Sequence, residues 1–244
     1  MRTARGFCTR VLLLSAITAT LLAPHAWAHR DDYIDETFVY QTLAAREREV
    51  EGWAEIHAEH DRHPRAWYTG AFEYGITGRW TIDGVGQWVR GAAGLGFGRF
   101  RSETRFRFAE EGHGPVDLAA SLEYEVETHR ATGSETEHIL TPRLVVSRDL
   151  VPALNTTLNL DFPVTISPDG GVQFRYATGV RYPAEGFLRA GVEFKQAPAG
   201  KSSILFPQVW FALPSEVTFK IGTGIGLGSA DESFLARAVL EAEF

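Results

Sequence analysis

From Arg48 to the last residue, apolar side chains recur at every second position over long stretches, and that period limits what the chain can fold into. The final stretch is the clearest. Phe234, Ala236, Ala238, Leu240, Ala242 and Phe244 alternate with Leu235, Arg237, Val239, Glu241 and Glu243. Successive side chains of a strand point to opposite faces, so this stretch is a strand with one apolar face. Val116, Leu118, Ala120, Leu122, Tyr124 and Val126 face away from Asp117, Ser121, Glu123, Glu125 and Glu127 in the same way. Twelve such segments are marked: Arg48–Glu59, Arg65–Ile76, Arg79–Arg90, Phe97–Phe108, Val116–Thr128, Glu137–Ser147, Leu154–Ile166, Val172–Tyr182, Phe187–Gln196, Ile204–Leu213, Glu216–Leu227 and Ser233–Phe244. Turn signals separate them, among them Thr77-Gly78 and Pro214-Ser215. No long helical period intervenes, which implies an antiparallel meander. The segment Ile204–Leu213 is apolar on both faces and holds Pro207, so alternation leaves its register open.

Which face meets what is decided by the other features of the chain. Arg2, Arg5 and Arg10 precede a short apolar core, Val11 to Leu22, and Ala26-Trp27-Ala28 fits a small-x-small cleavage site. Residues 1–28 therefore read as a secretory signal peptide, with the mature chain starting at His29. The single cysteine, Cys8, lies inside that signal, so disulfides and thiol chemistry are excluded from the mature chain. Without residues 1–28 the chain carries 21 basic and 31 acidic side chains, a formal charge of −10, which argues against a nucleic-acid partner. An even number of strands, each about 9–11 residues or more, with aromatics recurring near strand ends and an export signal, predicts a twelve-stranded antiparallel up-and-down transmembrane β-barrel over residues 48–244, in the bacterial outer membrane with its apolar face on the lipid.

The polar face then lines a lumen. Glu49, Glu51, Glu55 and His57 point inward from the first strand, Glu73 from the second and Glu241 and Glu243 from the last; of these Glu49, Glu51, Glu73, Glu241 and Glu243 lie toward the periplasmic end as an acidic quadrant with no nearby base in sequence. Arg99, Arg101, Arg105, Arg175 and Arg189 line the rest. Either the two signs face one another across the lumen as a transverse field, or they pair along the ladder. If strands four and five turn about residue 112, Arg107 lies opposite Asp117, Arg101 opposite Glu123 and Arg99 opposite Glu125. Residues 29–47 read as a periplasmic N-terminal segment, a lead-in or partial strand; Tyr33, Ile34, Phe38, Val39, Tyr40 and Leu43 also suit a plug entering the lumen from below. The loops on the other side, near His60–Pro64, Gly91–Gly96, His129–Thr136, Ser167–Gly171, Ala197–Ser203 and Gly228–Glu232, are short.

Catalytic chemistry finds little support. No His-x-Ser, GxSxG or HExxH occurs, and no cofactor is implied. His57, His60 and His63 cluster at one rim, where imidazoles and the neighbouring acids could hold a transition metal. The run Gly222, Gly224, Gly226, Gly228 has no helix after it and reads as close strand packing rather than a phosphate loop.

The stretch Ala71 to Trp80, AFEYGITGRW, resembles a hairpin of the outer-membrane barrel family assigned to the MetA pathway of phenol degradation. The C-terminal Phe244 resembles the assembly signal by which bacterial barrels meet their assembly machinery. The resemblance implies a non-enzymatic channel or transporter in outer-membrane lipid, passing a small solute. A non-conducting scaffold with a salt-bridged lumen, or a metal-handling barrel, are the alternatives.

Overall fold

The structure, a computed structural model, describes residues 32–34, 37–59, 64–91, 94–128, 136–151, 153–167, 170–196, 202–228 and 232–244. Residues 1–31, where the sequence leads one to expect a signal peptide and its cleavage site, lie outside them, as do His60, His63 and most of the far loops. Thirteen strands follow in order: β1 Arg48–Glu59, β2 Arg65–Thr77, β3 Trp80–Gly91, β4 Gly94–Arg107, β5 Asp117–Glu127, β6 Glu137–Val151, β7 Leu154–Asp161, β8 Val164–Thr165, β9 Arg175–Tyr182, β10 Leu188–Gln196, β11 Ser202–Leu213, β12 Val217–Gly228 and β13 Glu232–Glu243. All pairings are antiparallel and most join chain neighbours; β1 pairs with β13 and β5 with β6, so the sheet closes on itself. β7 and β8 lie end to end beside β6, giving twelve staves. Closure pairs the long staves all the way round, which is how a strand-built wall satisfies its backbone in lipid.

Burial is inverted relative to a water-soluble domain. Val50, Phe72, Ile82, Phe100, Leu122, Ile221 and Leu240 are exposed on the outside. Glu55, Gln87, Arg105, Thr141, Asn159, Arg181, Glu193 and Glu241 are buried inside. Alternation with an apolar exterior is the signature of a lipid-facing barrel. Two aromatic belts flank this exterior: Phe187, Phe211 and Phe219 near the end where the termini meet, and Phe162, Phe174, Tyr176 and Phe194 near the far end.

Three local expectations differ. The segment Leu154–Ile166 breaks at Phe162-Pro163, because Pro163 has no N–H to continue the ladder; the short β8 that follows pairs with β6 alone. The stave expected from Val172 starts at Arg175, with Val172 joined only by a single bridge to Val164. The β4–β5 register is shifted by two residues from the one the charge pattern suggests, its turn centred one residue later: Arg99 lies opposite Glu127 and Arg101 opposite Glu125. A shift of two keeps every side chain on its face, and long side chains reach the diagonal, so Arg99–Glu125 at 3.2 Å and Arg101–Glu123 at 3.8 Å still form. Arg107 bonds instead to Glu110 and to the Gly78 carbonyl. A hydrogen bond from Arg79 and the nearby Arg107 charge hold the Glu110 carboxyl below its usual value.

The register that alternation left open is set by packing. In β11, Phe206, Gln208, Trp210 and Ala212 point inward, while Leu205 and Leu213 face out. The β11–β12 ladder skips Phe206 and Pro207, as a residue without an N–H demands. Opposite the gap, a Cβ on Gly222 would sit 2.4 Å from the Phe206 ring, so the glycine run leaves room for an aromatic inside the wall.

Candidate functional site: the filled lumen

The lumen is occupied by the chain's own N-terminal segment. From Ala44 inward, Leu43, Gln41, Tyr40, Val39, Phe38, Thr37, Ile34 and Tyr33 are all buried within the barrel. At the mouth the segment is clipped to the β2 end, with Arg46 N–H donating to Gly75 O at 2.7 Å and Gly75 N–H to Glu47 O at 2.9 Å. Arg46 adopts a positive φ of 72° to turn the chain from the lumen into β1.

An irregular segment in a closed lumen must have its backbone polar groups satisfied. Side chains of the wall do this. Leu43 N–H donates to Thr81 Oγ1 at 3.0 Å, Phe38 N–H to Asn159 Oδ1 at 2.8 Å, Thr37 N–H to Glu193 Oε1 at 2.9 Å and Ile34 N–H to Gln208 Oε1 at 2.7 Å. The Phe38 carbonyl accepts from Thr157 and Asn159, and the Ile34 carbonyl from Arg237. The Thr37 hydroxyl also donates to Glu193. Wall residues that alternation marks only as polar are therefore the ones that read the segment's backbone.

The segment's apolar side chains account for the apolar residues that point inward. Ile34 packs with Trp53, Ala71, Val85, Phe206, Leu235 and Val239; Phe38 and Tyr40 with Ala119 and Val145; Tyr33 and Val39 with Trp210. The Phe38 ring lies between two guanidiniums, Arg105 at 4.0 Å and Arg143 at 4.3 Å from its centroid. Each such cation–π contact contributes about 0.5–2 kcal/mol, more where desolvated. Asp32 returns to Arg105 at 2.9 Å. Between the segment and the β1–β3 wall the remaining space is about 30 Å³, room for a water or two.

The charged residues pair locally. Glu49 lies opposite both Glu73 and Glu243, and Glu51 opposite Glu241, so the acidic quadrant assembles when β1 meets β13 and β2. Lys220 of β12 sets a cation beside it, 3.3 Å from Glu51 and in contact with Glu241. Carboxylates of Glu49, Glu51 and Glu241 lie within 4.8 Å of one another, with this ammonium beside them. Glu55 pairs with Arg237 at 3.0 Å and His57 at 2.8 Å. Arg143 takes three acids, Glu103 at 2.6 Å, Asp161 at 2.8 Å and Glu123 at 3.5 Å. Among the described residues, these acids and bases therefore pair within one stave or with staves one or two places away rather than across the full width of an open pore. Arg189 and Arg181 are buried towards the end where the termini meet, Arg181 beside Tyr33 and Trp210. His57 also stacks on Trp67; its two expected partner histidines lie outside the described residues.

Lys220 and Arg237 are the bases that sequence reasoning did not place in the quadrant. Their signal is the closure register: Arg237 lies directly opposite Glu55 once β13 is laid against β1. Beyond Phe38, towards the far end, the lumen opens into a cavity of about 230 Å³ lined by residues of β4 to β10, including Arg99, Glu125, Arg143, Asp161, Arg175 and Lys195.

This architecture has structural counterparts. The COG4313 outer membrane channel from Pseudomonas putida F1 superposes with a TM-score of 0.65 at 12% identity, over 88% of this chain and all of that one. The KdgM porin in complex with disordered oligogalacturonate gives 0.59 at 8% identity, over 80% and 99%, and the KdgM porin alone 0.57 at 8%, over the same shares. At these identities the likeness is one of fold: this chain folds as outer-membrane β-barrels do. No protein-family model matches the chain, and no curated protein matches it by sequence.

Proposed function

We propose that this protein is an outer-membrane channel for small solutes in which residues 32–43 form the constriction. The observation that carries the reading is the set of wall side chains, Thr81, Asn159, Thr157, Glu193 and Gln208, whose hydrogen bonds go to the backbone of that segment. A wall built only to be rigid would satisfy its polar groups stave to stave. This one spends several of them on a segment that crosses the lumen and joins the barrel through one turn. The channel and porin neighbours, and the likeness of residues 71–80 to the phenol-degradation barrel family, support a transport role. On this reading the chain is exported by residues 1–28, handed to the barrel assembly machinery through the strand ending at Phe244, and embedded in outer-membrane lipid by its apolar exterior. It needs no cofactor and performs no catalysis.

Transport here follows from displacement of the segment. With it seated, the space between it and the β1–β3 wall is about 30 Å³; withdrawn, a polar pore lined by Glu49, Glu51, Glu55, Glu73, Arg101, Arg105 and Glu241 is left. The second reading, a non-conducting scaffold, is favoured by the three-acid embrace of Arg143. Planar-bilayer recording separates them. A channel shows steps that grow when the segment is weakened, and a scaffold shows none with the segment intact or weakened.

A further inference from the structure

The cavity beyond Phe38 contains one arginine whose natural partner is taken. Arg175 on β9 lies directly opposite Asp161 on β7. Both Asp161 oxygens are turned to Arg143, Oδ1 at 2.8 Å from Nε and Oδ2 at 3.5 Å from Nη2. The neighbouring arginines of the same cavity are engaged as well, Arg99 with Glu125 and Arg101 with Glu123. Arg175 Nε is left buried without a hydrogen-bond partner. A buried donor on a charged group left in that state is costly, and a group that accepts from it offsets the cost.

Lys195 stands next to it. It lies opposite Ala177, two residues along β9 from Arg175, so the two cationic side chains are diagonal neighbours on the inner face. Both line the 230 Å³ cavity, and both line a second of about 170 Å³ that adds Tyr176 and Ile204 to Ala177. Among the described residues, the larger cavity is lined by five basic and four acidic side chains, the acids being Glu123, Glu125, Glu137 and Asp161. The Arg175 guanidinium, its facing acid Asp161 turned to Arg143, suits a single anionic head group. A guanidinium fork matches a carboxylate by two parallel hydrogen bonds, while Ala177 and Ile204 offer an apolar side to a carbon chain.

We propose that Arg175 and Lys195 form a subsite for a small organic monocarboxylate on the far side of the constriction. The proposal rests on the channel reading, because it places a stopping point on the same path. The head group docks on the Arg175 fork with Lys195 beside it, and the carbon body lies along Ala177 and Ile204. Binding there requires no movement of the N-terminal segment.

The test uses the full chain from His29, refolded in detergent, with hexanoate labelled with carbon-13 at the carboxyl group. Saturable broadening of the carboxyl NMR signal is expected, with affinity reduced at least tenfold in Arg175→Gln and less in Arg175→Lys. Arg79→Gln, in the β2–β3 turn, binds as the parent does. Heat-modifiable migration on gels shows that each variant is folded. Parent-like binding by folded Arg175→Gln overturns the proposal, as does equal binding of hexylamine or full displacement by equimolar phosphate. Hexanoate binding by a barrel that never conducts refutes the channel reading and leaves the subsite standing. Conductance with hexanoate binding that ignores Arg175 refutes the subsite alone.

Discussion

A Cβ placed on Gly75 would lie 1.9 Å from the carbonyl oxygen of Ala44. The glycine in the AFEYGITGRW hairpin is therefore the point where the N-terminal segment crosses the wall on its way into the lumen, fixed on both sides by hydrogen bonds between residues 46–47 and Gly75. Gly75→Ala forces the crossing apart. Overpacking of this kind costs about 1–3 kcal/mol, and here the strain falls on the segment's anchor rather than on the barrel ladder. The expected result is a folded barrel of raised conductance, checked by single-channel recording beside heat-modifiable migration.

Lys220 is the ammonium beside the Glu51 and Glu241 carboxylates. Replacing it by methionine keeps the volume and removes the ammonium from beside the acids. Breaking a buried pair by removing one partner costs about 3–5 kcal/mol, so the urea midpoint should fall steeply in K220M and recover in large part in Lys220→Arg. Equal midpoints for K220M and the parent would show that the acids find another partner.

The Gly222–Phe206 contact makes a separable prediction. Gly222→Ala drives a methyl into the Phe206 ring and should destabilise the barrel by about 1–3 kcal/mol. Phe206→Leu alone should also destabilise it, by loss of packing on Ile34 and Trp53. The double variant should be more stable than the two single losses added together, the mark of coupled neighbours in a double-mutant cycle.

The turn between β4 and β5 carries a pH dependence of known sign. The Glu110 carboxyl, bonded to Arg79 and near Arg107, has a lowered pKa. Its contribution is fully present above the ordinary carboxylate value and is lost as pH falls through the lowered one. Protease nicking between residues 108 and 116 should rise in that acid window in the parent, and Glu110→Gln should show the raised nicking already at neutral pH.

The period of two in the sequence is enough to place most staves to within a residue or two at their ends and to assign their faces, because one face is uniformly apolar. It fails where a residue's chemistry overrides the pattern: at Pro163, which ends β7, and in β11, where Phe206 and Trp210 break alternation to meet the N-terminal segment. The register of β4 on β5 differs by two from the charge-matched one because a pairing rule that matches charges directly across a ladder ignores the diagonal reach of arginine. The apolar residues Tyr33, Ile34, Phe38, Val39, Tyr40 and Leu43 are visible in the sequence as more than a polar linker needs. What holds them is not. Asn159, Thr157, Glu193 and Gln208 carry no local signal, since a polar residue on an inward face reads the same whether it meets water or a backbone. Lys220 was missed for a related reason: its partners come from β1 and β13, and only closure of the barrel brings them together.

The most direct test of the filled lumen is single-channel conductance of the chain from His29 against the same chain lacking residues 29–43, both checked for folding by heat-modifiable migration. With the segment as the constriction, the shortened barrel conducts in steady ohmic steps several-fold larger than the parent, and Phe38→Ala falls between them. Indistinguishable conductance from the two folded barrels would contradict the account.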